Sequence, residues 1–279
     1  MANLGIEIIS VFGLPPVEFV DLAADLGCQH ISTGLSSFDF GVHDYPAWSL
    51  RDDAKLRREM VAAMRDRGVS ISLGEGLNIR SGVSARDYAA DLDILCELGA
   101  EVFNTVSMDP DPGRTFDEFA VLSEMVAARG RVTTVELVPT LTVGDLPTAL
   151  AALRHVGRAD FRLMFDTMHV MRSGATIADV AALDAGQIGY VQLCDAPLKA
   201  RFASYFEESM FERMVPGEGE LGLRDLLAVL PADRIYSLEL PLRSEGLAGI
   251  GPQERLGKCV AAARRLLAEA HGEALAVLS

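Results

Sequence analysis

Four apolar runs in the C-terminal half of the 279-residue chain each carry one oxygen-bearing side chain. They are Glu136 in Thr134-Val135-Glu136-Leu137, Asp166 in Met164-Phe165-Asp166-Thr167, Gln192 in Tyr190-Val191-Gln192-Leu193, and Glu239 in Ser237-Leu238-Glu239-Leu240. An ionised carboxylate in apolar surroundings is destabilising unless it is paired or bound to a cation. Three converging carboxylates would repel one another, and one divalent ion is the simplest compensation. Three carboxylates and an amide make a hard, all-oxygen ligand set, which favours Mn²⁺ or Mg²⁺ over Zn²⁺. Four protein ligands leave about two octahedral positions for water or substrate oxygens. Taken singly, each residue reads equally well as a polar strand end facing a helix N-terminus; their recurrence on four successive runs favours a shared ion.

The elements that must bring them together follow from a repeated unit. Amphipathic stretches end at Gly27, Gly68, Gly99, Gly130, Gly157 and Gly186, and an apolar run follows each within a few residues. Glycine supplies the left-handed residue that ends a helix, so each is a candidate helix cap. Helical periodicity shows in Phe19, Leu22, Ala23 and Leu26, in Tyr88, Leu92 and Leu95, in Phe116, Phe119, Leu122 and Val126, and in Leu146, Leu150 and Leu153. Residues 253–270 read as a long closing helix. Eight strands are expected: Leu4–Ile9, His30–Thr33, Val69–Leu73, Val102–Val106, Val132–Val138, Phe161–Phe165, Ile188–Leu193 and Ile235–Leu240. Most lack clean alternation, as suits a parallel sheet buried on both faces. Strands and helices alternating at about 30 residues per unit predict an α/β fold, a (β/α)₈ TIM barrel, formed by residues 1–279 as a single domain. A doubly wound open sheet is the second choice, weakened because Ser10-Val11-Phe12-Gly13-Leu14 after strand 1 has no G-x-G-x-x-G. In a parallel barrel the chemistry lies at the strand C-termini, where the four polar residues fall. Between strand 7 and the next helix, Ala196 to Glu220 reads as a long loop with several aromatic side chains. A loop of that length over the mouth suggests a functional or mobile segment.

At these residues the sequence resembles the xylose isomerase-like superfamily of sugar isomerases and epimerases. That family typically carries Glu at the end of strand 5, Asp-x-x-His after strand 6, His or Gln in strand 7, and Glu at the end of strand 8. The counterparts here are Glu136, Asp166 with His169, Gln192, and Glu239. Gln192 followed by Asp195, and Pro216-Gly217-Glu218-Gly219-Glu220, look like the hydroxypyruvate isomerase branch. That branch usually has an Arg soon after the strand 7 aspartate; here the nearest basic residues are Lys199 and Arg201. The resemblance implies that Glu136 and Glu239 are ligands that also act as an acid/base pair. The ion would polarise a carbonyl and hydroxyl of a small polyhydroxylated substrate and stabilise an enediolate. Strands 5 and 8 lie nearly opposite each other in an eight-stranded barrel, so their carboxylates could flank a bound carbon. His169 would contact a substrate hydroxyl. Asp195 reads equally as support for the site or as a helix cap. Lys199 and Arg201 could hold an anionic group or be solvated loop charges. Glu75 and Asn104, after strands 3 and 4, are further substrate-contact candidates. Glu7 joins them if strand 1 turns it inward, and His43 and Trp48 either wall the pocket or pack on the surface.

Composition narrows the alternatives. The net charge of −15 argues against a nucleic-acid binder or an anionic membrane surface as partner. Hydrophobic residues make up 49%, enough for a large core. Cys28, Cys96, Cys194 and Cys259 form no C-x-x-C pair and read as free thiols of a reducing cytoplasm. Met1-Ala2-Asn3-Leu4-Gly5 has no basic region followed by an apolar run, and no segment approaches 18 uninterrupted apolar residues, so neither a signal peptide nor a membrane span is expected. Related barrels are often dimers or tetramers, which leaves room for a homo-oligomer. The leading expectation is a metal-dependent isomerase or epimerase. The alternative is a lyase or dehydratase on the same scaffold, of the inosose or 3-dehydroshikimate dehydratase kind. An inert barrel has no need to gather carboxylates, and a metal-dependent endonuclease would need more than the five histidines present and a basic groove.

Overall fold

The computed structural model describes residues 3–38 and 40–272; Met1 and Ala2, part of the N-terminal stretch considered above, lie outside them. Eight parallel strands close into a barrel in the order β1 to β8. They are β1 (Leu4–Ile6), β2 (His30–Thr33), β3 (Ser70–Gly74), β4 (Val102–Thr105), β5 (Val132–Glu136), β6 (Phe161–Asp166), β7 (Ile188–Leu193) and β8 (Tyr236–Leu238). Five major helices cover the outside: α1 (Pro16–Asp25), α2 (Ala54–Arg67), α3 (Ala89–Glu97), α4 (Pro112–Ala127) and α5 (Leu146–Val156). After them come the short α6 (Thr167–Arg172), α7 (Ile177–Ala181), α8 (Tyr205–Phe211), α9 (Leu223–Val229) and α10 (Arg243–Leu247), and then the closing α11 (Pro252–His271).

Local chemistry starts and stops these elements. Asp53, Asp111 and Asp145 accept backbone N–H groups at the starts of α2, α4 and α5, satisfying donors that the first turn leaves open. Gly27, Gly68, Gly99, Gly130 and Gly157 take positive φ after their helices, as a left-handed stop requires. Gly186 differs: it lies inside a 3₁₀ turn, Ala185–Gln187, whose start is capped by Asp184. The unit before β7 is closed by that Asp rather than by a glycine cap.

The main core fills the space between sheet and helices, with Phe19, Leu92, Phe119, Leu122, Ala149 and Leu256 on the inward helix faces. A second cluster, Leu73, Met164 and Tyr190, joins β3, β6 and β7. Strands so far apart around the ring meet only through the barrel interior. Side chains alternate along a strand, so Asp166 and Gln192, two residues beyond Met164 and Tyr190, point inward one layer nearer the mouth.

Three expectations are revised. β1 ends at Ile6, and Ile8–Val11 forms a 3₁₀ turn whose first N–H is bound by Ser32 Oγ at 2.8 Å. β8 is shorter than Ile235–Leu240, which leaves Glu239 one residue past its end. The Ala196–Glu220 stretch contains α8 and is tied down on both sides, by bridges between Asp195 and Met214 and between Glu212 and Leu242.

Candidate active site

Glu136 and Asp166 end β5 and β6, Gln192 is the penultimate residue of β7, and Glu239 follows β8. Asp166 is paired in register with Gln192, and Gln192 with Ser237, so the three C-terminal strands present their polar ends at one level. All four side chains are buried. One carboxylate oxygen each from Glu136 and Asp166 lies with a ring nitrogen of His169 inside a 4.8 Å circle, close enough to share one ion. Gln192 Oε1 is buried and has no hydrogen-bond partner among the described residues, while Gln192 Nε2 donates to Glu239 Oε1 at 3.4 Å. A buried amide oxygen without a donor is destabilising on its own and is satisfied by a cation. The oxygen donors therefore fit a divalent ion, with His169 beside them.

The Asp-x-x-His spacing has a mechanical basis. Asp166 is the N-cap of α6, its Oδ1 accepting the His169 backbone N–H at 2.8 Å. One side chain thus ends β6, starts the helix and fixes the histidine one turn along. His169 Nδ1 lies 2.6 Å from the Tyr205 hydroxyl, and Nε2 lies 3.4 Å from Glu136 Oε1. Burial drives His169 down to about 4, so the ring is neutral near pH 7. Burial raises Tyr205, keeping its proton for donation to Nδ1, and Nε2–H is then left to face Glu136.

The carboxylates differ in charge state. Burial, reinforced by the nearby Asp166, pushes Glu136 up to about 8 even though Asn104 Nδ2 donates to its Oε2 at 2.7 Å. Burial also holds Glu239 well above the usual carboxylate range, against the pull of Arg213. Burial acts on Asp166 in the same direction, but Arg213 and His169 outweigh it and hold Asp166 below that range.

Arg213 is the residue that strand-end reasoning missed. It is 3% exposed, and its Nη1 donates to Asp166 Oδ2 at 2.5 Å while Nη2 lies 2.7 Å from Glu239 Oε2. The basic group reaching the site therefore comes from the far end of the segment after β7. Lys199 and Arg201, to which the family pattern had pointed, are exposed, and Arg201 lies 3.8 Å from Glu208. One signal was present: Arg213 is a lone cation beside the apolar Met214-Val215-Pro216.

The remaining candidates fall into place around this group. Asn104 Oδ1 also accepts from Thr134, so Asn104 fixes the Glu136 carboxylate. Glu75 sits across the barrel beside Glu7, and burial followed by the Glu7 charge raises it well above its ordinary value. Asp195 accepts N–H groups of Ala196, Gly217 and Leu221 and so folds the Pro216–Glu220 turn. A Cβ on Gly219 would stand 2.3 Å from Asp195 Oδ1, which explains a glycine there. His43 Nε2 lies 3.1 Å from Arg255, and Trp48 Nε1 donates to Gly13 O, both away from the carboxylates. No cysteine among the described residues is in a disulfide, and no helix among them is long and apolar enough to cross a membrane.

Comparison with known proteins agrees with this architecture. The family model described as xylose isomerase-like TIM barrel matches residues 20–266. A 3-dehydroshikimate dehydratase of Pseudomonas aeruginosa is 30% identical over 146 residues, which is 50% of this chain but 23% of that protein. The chain thus spans less than a quarter of that relative's length in the match. Among solved structures, the IOLI protein with a bound zinc atom superposes with a TM-score of 0.76 at 16% identity, covering 99% of this chain and 100% of that one. D-psicose 3-epimerase, solved in the presence of D-fructose, superposes with a TM-score of 0.68 at 13% identity, covering 96% and 100%. At such identities the structural likeness establishes the fold.

Proposed function

The chain belongs to the xylose isomerase-like TIM barrel family, and on that basis we propose that it is a divalent-metal-dependent isomerase or epimerase acting on a small polyhydroxylated carbonyl compound. The observation that carries the proposal is the pair of buried glutamates, Glu136 and Glu239, on either side of the Asp166 carboxylate. Glu136, Asp166, Gln192 and Glu239 would hold the ion. When bound, it would supply Lewis-acid polarisation of the substrate carbonyl. The oxygen-rich set favours Mn²⁺ or Mg²⁺.

The protein's own groups account for the proton movement. Burial raises Glu136, a bound cation would act against that rise, and the two together suit a carboxylate that exchanges a proton in general acid–base catalysis. Asn104 and His169 hold its two oxygens, so the carboxylate presents a fixed edge to a substrate C–H. Glu239 is positioned to return the proton from the other side. Neutral His169, oriented by Tyr205, can donate Nε2–H to a substrate oxygen as charge develops there. Burial of the whole group removes water that would otherwise compete for these protons.

A dehydratase is the second reading, favoured by the 30% identity to the 3-dehydroshikimate dehydratase over half of this chain. Both begin with the same proton abstraction; in the dehydratase a hydroxyl then leaves. The two are separated by screening ketoses, keto-cyclitols and 3-dehydroshikimate with Mn²⁺ in D₂O and weighing the product. An isomerase gives an unchanged formula carrying up to one solvent deuterium, whereas loss of 18 mass units moves the protein to the lyases. Glu136→Gln should lower turnover by at least about 10²-fold in either case, because a general base of this kind supplies about 10²–10⁴-fold. Retention of full turnover would remove Glu136 from the chemistry.

A further inference from the structure

We infer that Arg213 is a built-in cation that holds the ligand carboxylates together in the metal-free protein and, because it stays in place, weakens the binding of the divalent ion. The inference rests on the metal site proposed above. Glu136, Asp166 and Glu239 would carry three negative charges if all were ionised, at one end of a barrel from which water is largely excluded. Arg213 donates to Asp166 with Nη1 and holds Nη2 2.7 Å from Glu239 Oε2, so two nitrogens of one guanidinium reach two of the carboxylates. It supplies one of the positive charges the site requires before any ion arrives.

The guanidinium is not free to leave. Its Nε donates to Ser209 O at 2.8 Å, and its Nη1 lies 3.2 Å from Cys194 Sγ. The backbone N–H of Arg213 donates to Pro241 O at 3.3 Å, and its two neighbours form bridges to the chain after β7 and after β8: Met214 with Asp195, and Glu212 with Leu242. Upstream, Arg172 and Glu208 form an ion pair in which both side chains are almost fully buried, which ties α8 to α6. Displacing Arg213 would require this whole segment to open. The ion therefore binds beside a fixed positive charge, and in a site shielded from solvent that repulsion is poorly screened.

Linkage gives the sign. Arg213 stabilises the metal-free carboxylates more than the metal-loaded ones, because the ion neutralises the charge that Arg213 would otherwise meet. Its removal must then tighten metal binding by that same difference.

The test uses the full chain stripped with chelator and Mn²⁺ alone as probe, followed by titration calorimetry and by melting with and without Mn²⁺. Arg213→Met fills the volume without charge, and Arg213→Lys keeps the charge without the fork. The Met variant should bind Mn²⁺ at least ten-fold tighter than wild type, melt lower in chelator and gain more from added Mn²⁺; the Lys variant should stay within about three-fold of wild-type affinity. Should the Met variant not survive chelation, it is purified in Mn²⁺ and its affinity read by competition with a metallochromic chelator. Equal or weaker binding by the Met variant, with wild type still binding, would overturn the role given to Arg213 and leave the metal site standing. Binding by neither protein would remove the metal site and this inference together.

Discussion

The barrel interior holds two groups of buried carboxylates that are neutralised in different ways. On the β5–β8 side, Asp166 and Glu239 meet Arg213, and Asp166 is held below the usual carboxylate range. On the β1–β3 side, Glu7 and Glu75 lie together with Tyr190 and Ser72, and no arginine or lysine pairs with them among the described residues. There burial and mutual repulsion raise Glu75 well above its ordinary value, so a retained proton does the work that a guanidinium does across the barrel. The acidic residue type is the same; the charge it carries depends on which strand end it occupies and on what the following loop delivers. The side with a fixed cation keeps Asp166 charged among its raised neighbours Glu136 and Glu239, while the other offers a neutral acid and hydroxyls that suit hydrogen bonding to a polyol.

Breaking the charged side should have the largest effect. Arg213→Ala leaves Asp166 and Glu239 buried without their partner, and loss of one member of a buried pair costs about 3–5 kcal/mol. Urea denaturation in chelator reads this directly, and a loss under about 1 kcal/mol would mean that the pair is solvated. Glu75→Gln is the matched change on the other side. A neutral amide can still donate to Glu7, so the expected cost is within about 1 kcal/mol. A cost as large as that of Arg213→Ala would show that Glu75 is ionised and would dissolve the contrast between the two sides.

A smaller effect sharpens the comparison through pH. Glu136, Glu239 and Glu75 all have folded values above their unfolded one, so the stability they contribute is full below the unfolded carboxylate value and is lost as pH rises through the folded values. For Glu136 that loss runs up to about pH 8. His169, lowered to about 4, works in the opposite sense: its contribution is full above the unfolded value near 6.5 and is lost as pH falls toward 4. Between pH 6.5 and 8 His169 no longer contributes a slope and Glu136 does. Chelated protein should therefore melt progressively lower across that window, with Glu136→Gln flattening part of the slope. A melting temperature that does not change with pH would contradict the charge states assigned here.

How much of this was legible in the sequence depends on where each residue sits. Glu136, Asp166, Gln192 and Glu239 could be read because they interrupt apolar runs, and a parallel barrel sends strand C-termini to one face. Asp166 and His169 could be linked by spacing, although capping of α6 as its cause needed coordinates. Arg213 could not be placed in this way. It lies after a short helix in a segment with no period, and its position is fixed by bridges to chain more than 15 residues away on one side and to the end of β8 on the other. The stretch read as a long functional or mobile loop over the mouth contains α8, held by Glu208 and Tyr205 meeting α6, contacts that local sequence does not announce. Gly186 shows the limit of glycine as punctuation, since an aspartate cap can close a unit as well.

The measurement closest to the central claim is the metal content of the purified chain and of Asp166→Ala, read by elemental analysis after dialysis against Mn²⁺. Asp166 stands at the meeting point of Glu136, His169, Gln192 and Arg213. About one divalent ion per chain is expected in the wild type and almost none in the variant. Full occupancy surviving the substitution, or a wild type that takes up no ion, would contradict it.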